Sequence, residues 1–205
     1  LELLHGDFNA CWPLIPAVQA LHCQISLEKQ LVDAKQCMLH LNTLGLTLEK
    51  RRWASNTIEW GLADYLLLAT QLTHLELTIG SHMVDMTSLG AVFQKLPLKT
   101  LKLTYDGKDH AYLPSLSALA LESLSLGLGS TTVGCNLLPV ILQQTLLTRL
   151  HFTASNAFEW WAEGKDPSCL PNLLHVALAG PLPMFNAMLP RLPTCLRALS
   201  IHAPD

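Results

Sequence analysis

Three histidines, His151, His175 and His202, follow one another along the chain at similar intervals. Imidazole nitrogens at repeating intervals could serve as ligands to a transition metal. A metal, however, needs its donors to converge on one ion at about 2 Å, with further groups orienting the rings. Asp106 and Asp109 flank Gly107 but lack the run of oxygen ligands that a calcium loop needs. Gly127-Leu128-Gly129 is not followed by a further glycine at the dinucleotide spacing. There is no G-x-x-x-x-G-K-S/T loop, no G-x-S-x-G elbow and no H-E-x-x-H helix. Lys50-Arg51-Arg52 gathers three cations at a turn, where they are either solvated or a site for phosphate or an acidic peptide. The chain reads as non-catalytic, with no cofactor and no metal, and its histidines read as solvated surface groups.

Aromatic residues make up only 6% of the sequence, so their clustering carries information. Phe158, Trp160 and Trp161 sit together in a segment that also holds Glu159, Glu163, Lys165 and Asp166. Trp53 and Trp60 lie in another long segment. Tryptophan is enriched at interaction hot spots because one side chain buries a large area at little entropic cost. The alternative is that Phe158 and one tryptophan fill the outer layer of the fold. Two adjacent tryptophans cannot both face inward on one helix, which leaves one exposed or covered by a partner.

The elements that position these residues follow from a repeat. Leucine, two residues, an apolar residue, one residue and a third apolar residue recur at Leu72-Leu75-Leu77, Leu98-Leu101-Leu103, Leu121-Leu124-Leu126, Leu147-Leu150-Phe152, Leu173-Val176-Leu178 and Leu196-Leu199-Ile201. The middle positions, 75, 101, 124, 150, 176 and 199, recur at a nearly constant spacing. That period belongs to a solenoid, in which each unit buries its apolar edge against its neighbours. Leu41-Leu44-Leu46 continues the pattern, with Leu46 and Leu48 an alternative register. Ile25 and Leu27 form a degenerate copy, and Leu1 and Leu3 resemble the end of another. Middle positions at 25, 44 and 75 give one short step and one long one, which together make two ordinary repeats with an ill-defined boundary. About eight repeats thus form one domain over residues 1–205, with 1–40 degenerate.

Within a repeat, segments such as Leu75-Glu76-Leu77-Thr78-Ile79 alternate with the period of a strand that has one buried face. A breaker follows: Gly6, Gly80, Asp106, Gly129, Ser155 or Gly180. The chain then returns through apolar stretches. Met83–Leu96 has near-helical spacing, with Thr87 or Ser88 as capping residues, and Val133–Leu147 reads similarly. Pro183–Leu192 opens with a proline suited to a first helical turn. Asp109–Ala118, which contains Pro114, has room for one turn of α- or 3₁₀-helix.

This grammar resembles the leucine-rich-repeat family, of the ribonuclease-inhibitor and F-box-associated types with irregular repeats. The resemblance implies an α/β solenoid with parallel strands on the concave side and helices or short 3₁₀ turns on the convex side. Where that family places Asn or Cys to bond neighbouring backbones, this chain has Glu49, Gly80, Asp106, Gly129, Ser155, Pro181 and Pro204. Its turns must therefore be satisfied by other bonds.

In such an array the residues between the leucines form three columns on the concave face. The first runs Thr43, His74, Thr100, Ser123, Arg149, His175, Ala198. The second runs Gly45, Glu76, Lys102, Ser125, His151, Ala177, Ser200, and the third Thr47, Thr78, Thr104, Gly127, Thr153, Ala179, His202. Candidate protein contacts are His74, Glu76, Lys102, Arg149, His151 and His175, together with the segment of Phe158, Trp160 and Trp161. His151, His175 and His202 fall in different columns, on a zigzag rather than a row. Glu76 and Lys102 are neighbours in one column and form a cross-strand pair.

Composition bounds the rest. Half the residues are hydrophobic and 14% are charged, so the chain is well buried with a sparse polar surface. The net charge of −3 argues against an electrostatic nucleic-acid binder. No apolar run reaches the roughly 18–20 residues needed to span a bilayer, since Leu62–Leu72 is broken by Asp64, Thr70 and Gln71. No secretory signal is visible. Six cysteines are scattered without a C-x-x-C pair, which is read as buried free thiols in an intracellular, cytoplasmic protein. The apolar ends imply a segment of a longer protein, or ends covered by a partner. The expected function is a non-catalytic protein–protein interaction scaffold: the recognition region of a larger protein such as an F-box-type substrate receptor. The alternatives are a structural subunit of a large assembly, or a sensor or effector domain.

Overall fold

The computed structural model describes residues 19–25, 38–48, 62–80, 86–107, 112–129, 140–141, 143–154 and 170–203. Eight strands form a single sheet: β1 (Ala20–Ile25), β2 (Thr43–Leu48), β3 (His74–Ile79), β4 (Thr100–Tyr105), β5 (Ser123–Leu128), β6 (Arg149–Ala154), β7 (His175–Ala179) and β8 (Ala198–His202). All neighbours are parallel, and spatial order follows chain order from β1 to β8. Between the strands lie α1 (Leu62–Leu66), α2 (Met86–Phe93), the single turn α3 (Leu113–Leu116) and α4 (Leu182–Met188), the last continuing into a 3₁₀ turn over Leu189–Arg191.

Strand formation follows from the alternation. Burial in β6 runs exposed, buried, exposed, buried, exposed, buried, and β3 and β4 repeat the rhythm. The second position of β1 to β7 is therefore buried, and the register places Leu21, Leu44, Leu75, Leu101, Leu124, Leu150, Val176 and the exposed Leu199 of β8 in one row. Burying one such leucine fully stabilises by about 1.5–3 kcal/mol relative to leaving it in water. A one-residue slip in any strand would turn its leucines outward, so the hydrophobic pattern fixes the register. The buried residues form one continuous cluster from Leu21 to Met188, closed from outside by Leu62 and Leu66 of α1, Met86, Leu89, Val92 and Phe93 of α2, and Leu113 and Leu116 of α3.

The breakers stand where the pattern puts them. Gly80, Asp106, Gly129 and Gly180 each follow the last residue of a strand, and Ser155 lies outside the described residues. Pro181 caps α4, with proline in its first turn. Three expectations are corrected. First, β1 begins before the predicted copy. Leu21, 2% exposed, pairs with Leu44 in place of Ile25. The step from Leu21 to Leu44 is therefore of ordinary length, and only the step from Leu44 to Leu75 is long. A cysteine at the fourth strand position, Cys23, had disguised the repeat. Second, Thr87 and Ser88 lie inside the first turn of α2, since Met86 is already helical. Third, Cys195 is exposed rather than buried, and its thiol donates to the carbonyls of Pro171 (3.3 Å) and Leu173 (3.5 Å). The strand expected at Leu1–Leu3, the basic triplet at 50–52 and the segment of Phe158, Trp160 and Trp161 lie outside the described residues.

The bonds that stand in for an asparagine ladder lie at the strand entrances. The carbonyls of Gln19, Asn42, Thr73, Lys99, Glu122, Thr148 and Leu174 each accept two consecutive backbone N–H groups of the next repeat, at 2.8–3.2 Å. The Thr73 and Thr148 hydroxyls add donors to the carbonyls of Asn42 (3.2 Å) and Glu122 (2.9 Å). On the outer side the buried Gln144 amide donates to the Leu116 carbonyl (2.6 Å), and its oxygen accepts from the Leu121 N–H (3.4 Å). Tyr105 meets Tyr112 edge to face, with ring centroids 6.0 Å apart. Gly107 is required beside them, because a Cβ there would run into the Tyr105 ring.

Replacing Gln144 by leucine leaves a buried carbonyl and a buried N–H unpaired. It is expected to destabilise the chain by about 1–3 kcal/mol, read as a lower urea midpoint. Gln143→Leu, at an exposed neighbour, is expected to change stability by less than about 0.5 kcal/mol.

Candidate binding surface

The face of the sheet opposite the core carries the first, third and fifth residue of each strand. Because every strand pair keeps the same register, these residues stand in unbroken columns. The first column begins at Ala20, and the second at His22. His22 was not anticipated, because the sequence pattern placed β1 elsewhere. Its imidazole occupies the space that a side chain at Gly45 would fill, so that Gly45 is buried although it lies on the open face.

Two groups of candidate residues separate along this face. His74, Glu76 and Lys102 lie on β3 and β4. The Lys102 ammonium and Glu76 carboxylate form the cross-strand ion pair, at 2.5 Å, and the Thr73 hydroxyl lies 2.8 Å from His74 Nδ1. A second ion pair joins Lys99 to Glu122 at 3.3 Å. In both pairs the side chains are well exposed, so solvent screens them and each contributes little to stability.

Arg149, His151 and His175 come together on β6 and β7. They line a depression of about 410 Å³ that spans β5 to β8. Its other open-face residues are small: Ser123 and Ser125 on β5, Ala177 on β7, and Ala198 and Ser200 on β8. The hollow exists because these side chains are short, while Arg149 and the two histidines stand above them. The signal was present in the columns, where threonine, lysine and glutamate give way to serine and alanine after Thr100 and Lys102.

His151 is held between two hydroxyls. Ser125 Oγ lies 3.4 Å from Nδ1, and Thr153 Oγ1 lies 3.4 Å from Nε2. Both ring nitrogens thus face protein hydroxyls. A serine beside a histidine can form a nucleophile–base pair, but such a pair needs a third group to orient the ring and stabilise its charged form. Thr153 holds that position here, and among the described residues no carboxylate lines the depression. His202 stands in the third column, two positions along the strand from the level of Ala177 and Ser200. The three histidines therefore occupy the third, first and fifth strand positions and do not form a row. Among the described residues, no three His, Cys, Asp or Glu side chains are grouped to hold a metal ion. Among the same residues, no helix is long and apolar enough to cross a membrane.

No protein-family model matches this chain, and no curated protein matches it. The depression and its columns must be interpreted from their own chemistry.

The exposed pair offers a direct measurement. A double-mutant cycle on Glu76→Gln and Lys102→Gln is expected to return a coupling of about 0.2–1 kcal/mol, diminishing as salt is raised. A coupling of several kcal/mol would mean that the pair organises the face rather than decorating it.

Proposed function

We propose that this chain is a non-catalytic protein–protein interaction scaffold of the leucine-rich-repeat kind, the recognition region of a larger intracellular protein. The carrying observation is the depression on β5–β8, where Arg149, His151 and His175 surround a floor of alanine and serine. A rigid parallel sheet presents side chains at fixed spacing, about 4.8 Å between strands. Such a surface loses little conformational entropy when a partner docks. The chemistry supports recognition over turnover, because the Ser125–His151 contact in the hollow has no orienting carboxylate among the described residues. The F-box-type substrate receptor remains the specific form that the sequence resemblance implies.

A second reading, a structural subunit of a larger assembly, draws on a different observation. Leu199 and Ile201 of β8 are 44% and 45% exposed, whereas Val176 and Leu178 beside them on β7 are buried. A further segment of the same protein would cover these side chains as well as a separate subunit would; a subunit packed there would be held by apolar burial and would remain bound through purification.

Affinity capture from the native source separates the two. Ala177→Trp fills the hollow from a half-buried position on the open face, and it is expected to abolish capture of a partner bound through that face. Ile201→Glu, at a β8 residue that does not line the depression, should leave that capture intact. If capture is lost in Ile201→Glu and unaffected by Ala177→Trp, the structural-subunit reading is correct and the open face is not the recognition surface.

A further inference from the structure

The depression carries a chemical bias that a binding role alone does not require. Among its lining residues Arg149 is permanently charged, and His151 and His175 offer imidazole nitrogens, but there is no aspartate or glutamate. Glu122, directly before β5, is engaged by Lys99 at 3.3 Å, and Glu76 is engaged by Lys102 on β3–β4. Arg149 belongs to neither of the ion pairs among the described residues. Among the described residues, the open face is thus neutralised internally along β3–β4 and carries the unpaired positive charge of Arg149 over β5–β8. The chain as a whole has a net charge of −3, so this patch opposes the sign of its own protein.

From this placement, and resting on the protein-binding role proposed above, we infer that the depression takes an acidic, extended segment of a partner protein. A glutamate or aspartate carboxylate of that segment sits on Arg149. A guanidinium presents two parallel N–H donors that match a carboxylate. The hydroxyls of Ser123 and Ser200 supply further donors at the floor, and Ala177 and Ala198 leave room for the side chain to descend. A volume of about 410 Å³ exceeds one side chain and fits a stretch of two or three residues. One arginine suits a monovalent carboxylate, since phosphorylated side chains are ordinarily met by clusters of arginines.

The test is fluorescence anisotropy on the full 205-residue chain with three labelled decapeptides, alternating Glu-Ala, Gln-Ala and Lys-Ala. Saturable binding of the Glu-Ala peptide is expected, with at least tenfold weaker binding of the other two. Arg149→Gln is expected to weaken the Glu-Ala peptide about tenfold, while Lys95→Gln, an exposed lysine after α2, changes it by less than twofold. Arg149 is exposed, and its backbone N–H bond survives substitution, so far-UV circular dichroism should show an unchanged fold. Equal affinity for the three peptides, no saturable binding, or an unaltered Arg149→Gln variant would each overturn the inference. A phosphoserine decapeptide that binds tenfold tighter than Glu-Ala, in an Arg149-dependent way, would overturn the carboxylate assignment. Partner capture distinguishes the two levels. If Ala177→Trp loses the partner while Arg149→Gln keeps it, the binding surface stands and the acidic-segment inference falls. If neither variant loses it, both fall.

Discussion

The register of the sheet is the constraint on which everything else here depends. Each strand is only five or six residues long and has one apolar edge, too little to fold alone. Its leucines become buried only when the next strand stands beside it at the same height. The seven carbonyls at the strand entrances enforce that height, because each fixes two consecutive amides of the following repeat. Apolar burial supplies the stabilisation, and the entrance bonds set the alignment. With both in place, the open-face columns are a geometric by-product.

The sequence made the strands legible because their requirement is repeated. From Leu75 onward, every predicted middle position occupies the same row in the sheet, and every predicted breaker among the described residues follows its strand. The returns were less legible, since an apolar stretch can close the core in several ways. One turn at Leu113–Leu116 and a helix running into a 3₁₀ turn at Leu182–Arg191 serve the same purpose. β1 was misplaced because Cys23 stands where the pattern requires leucine, so periodicity favoured Ile25 and Leu27. The entrance ladder was invisible in the sequence for a different reason. It is made by backbone atoms, and Gln19, Asn42, Thr73, Lys99, Glu122, Thr148 and Leu174 have no side-chain character in common. Gln144 is the exception, a single polar side chain carrying two bonds in the outer layer.

The candidate surface was legible as a set of columns but not as a shape. Charge and side-chain type named Arg149, His151 and His175 individually. Their convergence around a hollow depends on the small residues of the neighbouring strands, which attract no notice one at a time. Ser125, Ala177 and Ser200 are unremarkable in sequence, yet in the second column, on either side of His151, they lower the floor. His22 and Gly45 show the converse, a large side chain beside an absent one filling the face.

The step from Leu44 to Leu75 is longer than those on either side of it, from Leu21 to Leu44 and from Leu75 to Leu101, yet β2 and β3 pair without a shift from Thr43 through Leu48. The extra length is absorbed entirely on the return path. The length of one connection is thereby insulated from the geometry of the face that partners meet. A lineage carrying such an array can lengthen, shorten or exchange its outer segments while the inner columns keep their alignment, so the two sides of the molecule are free to diverge at independent rates.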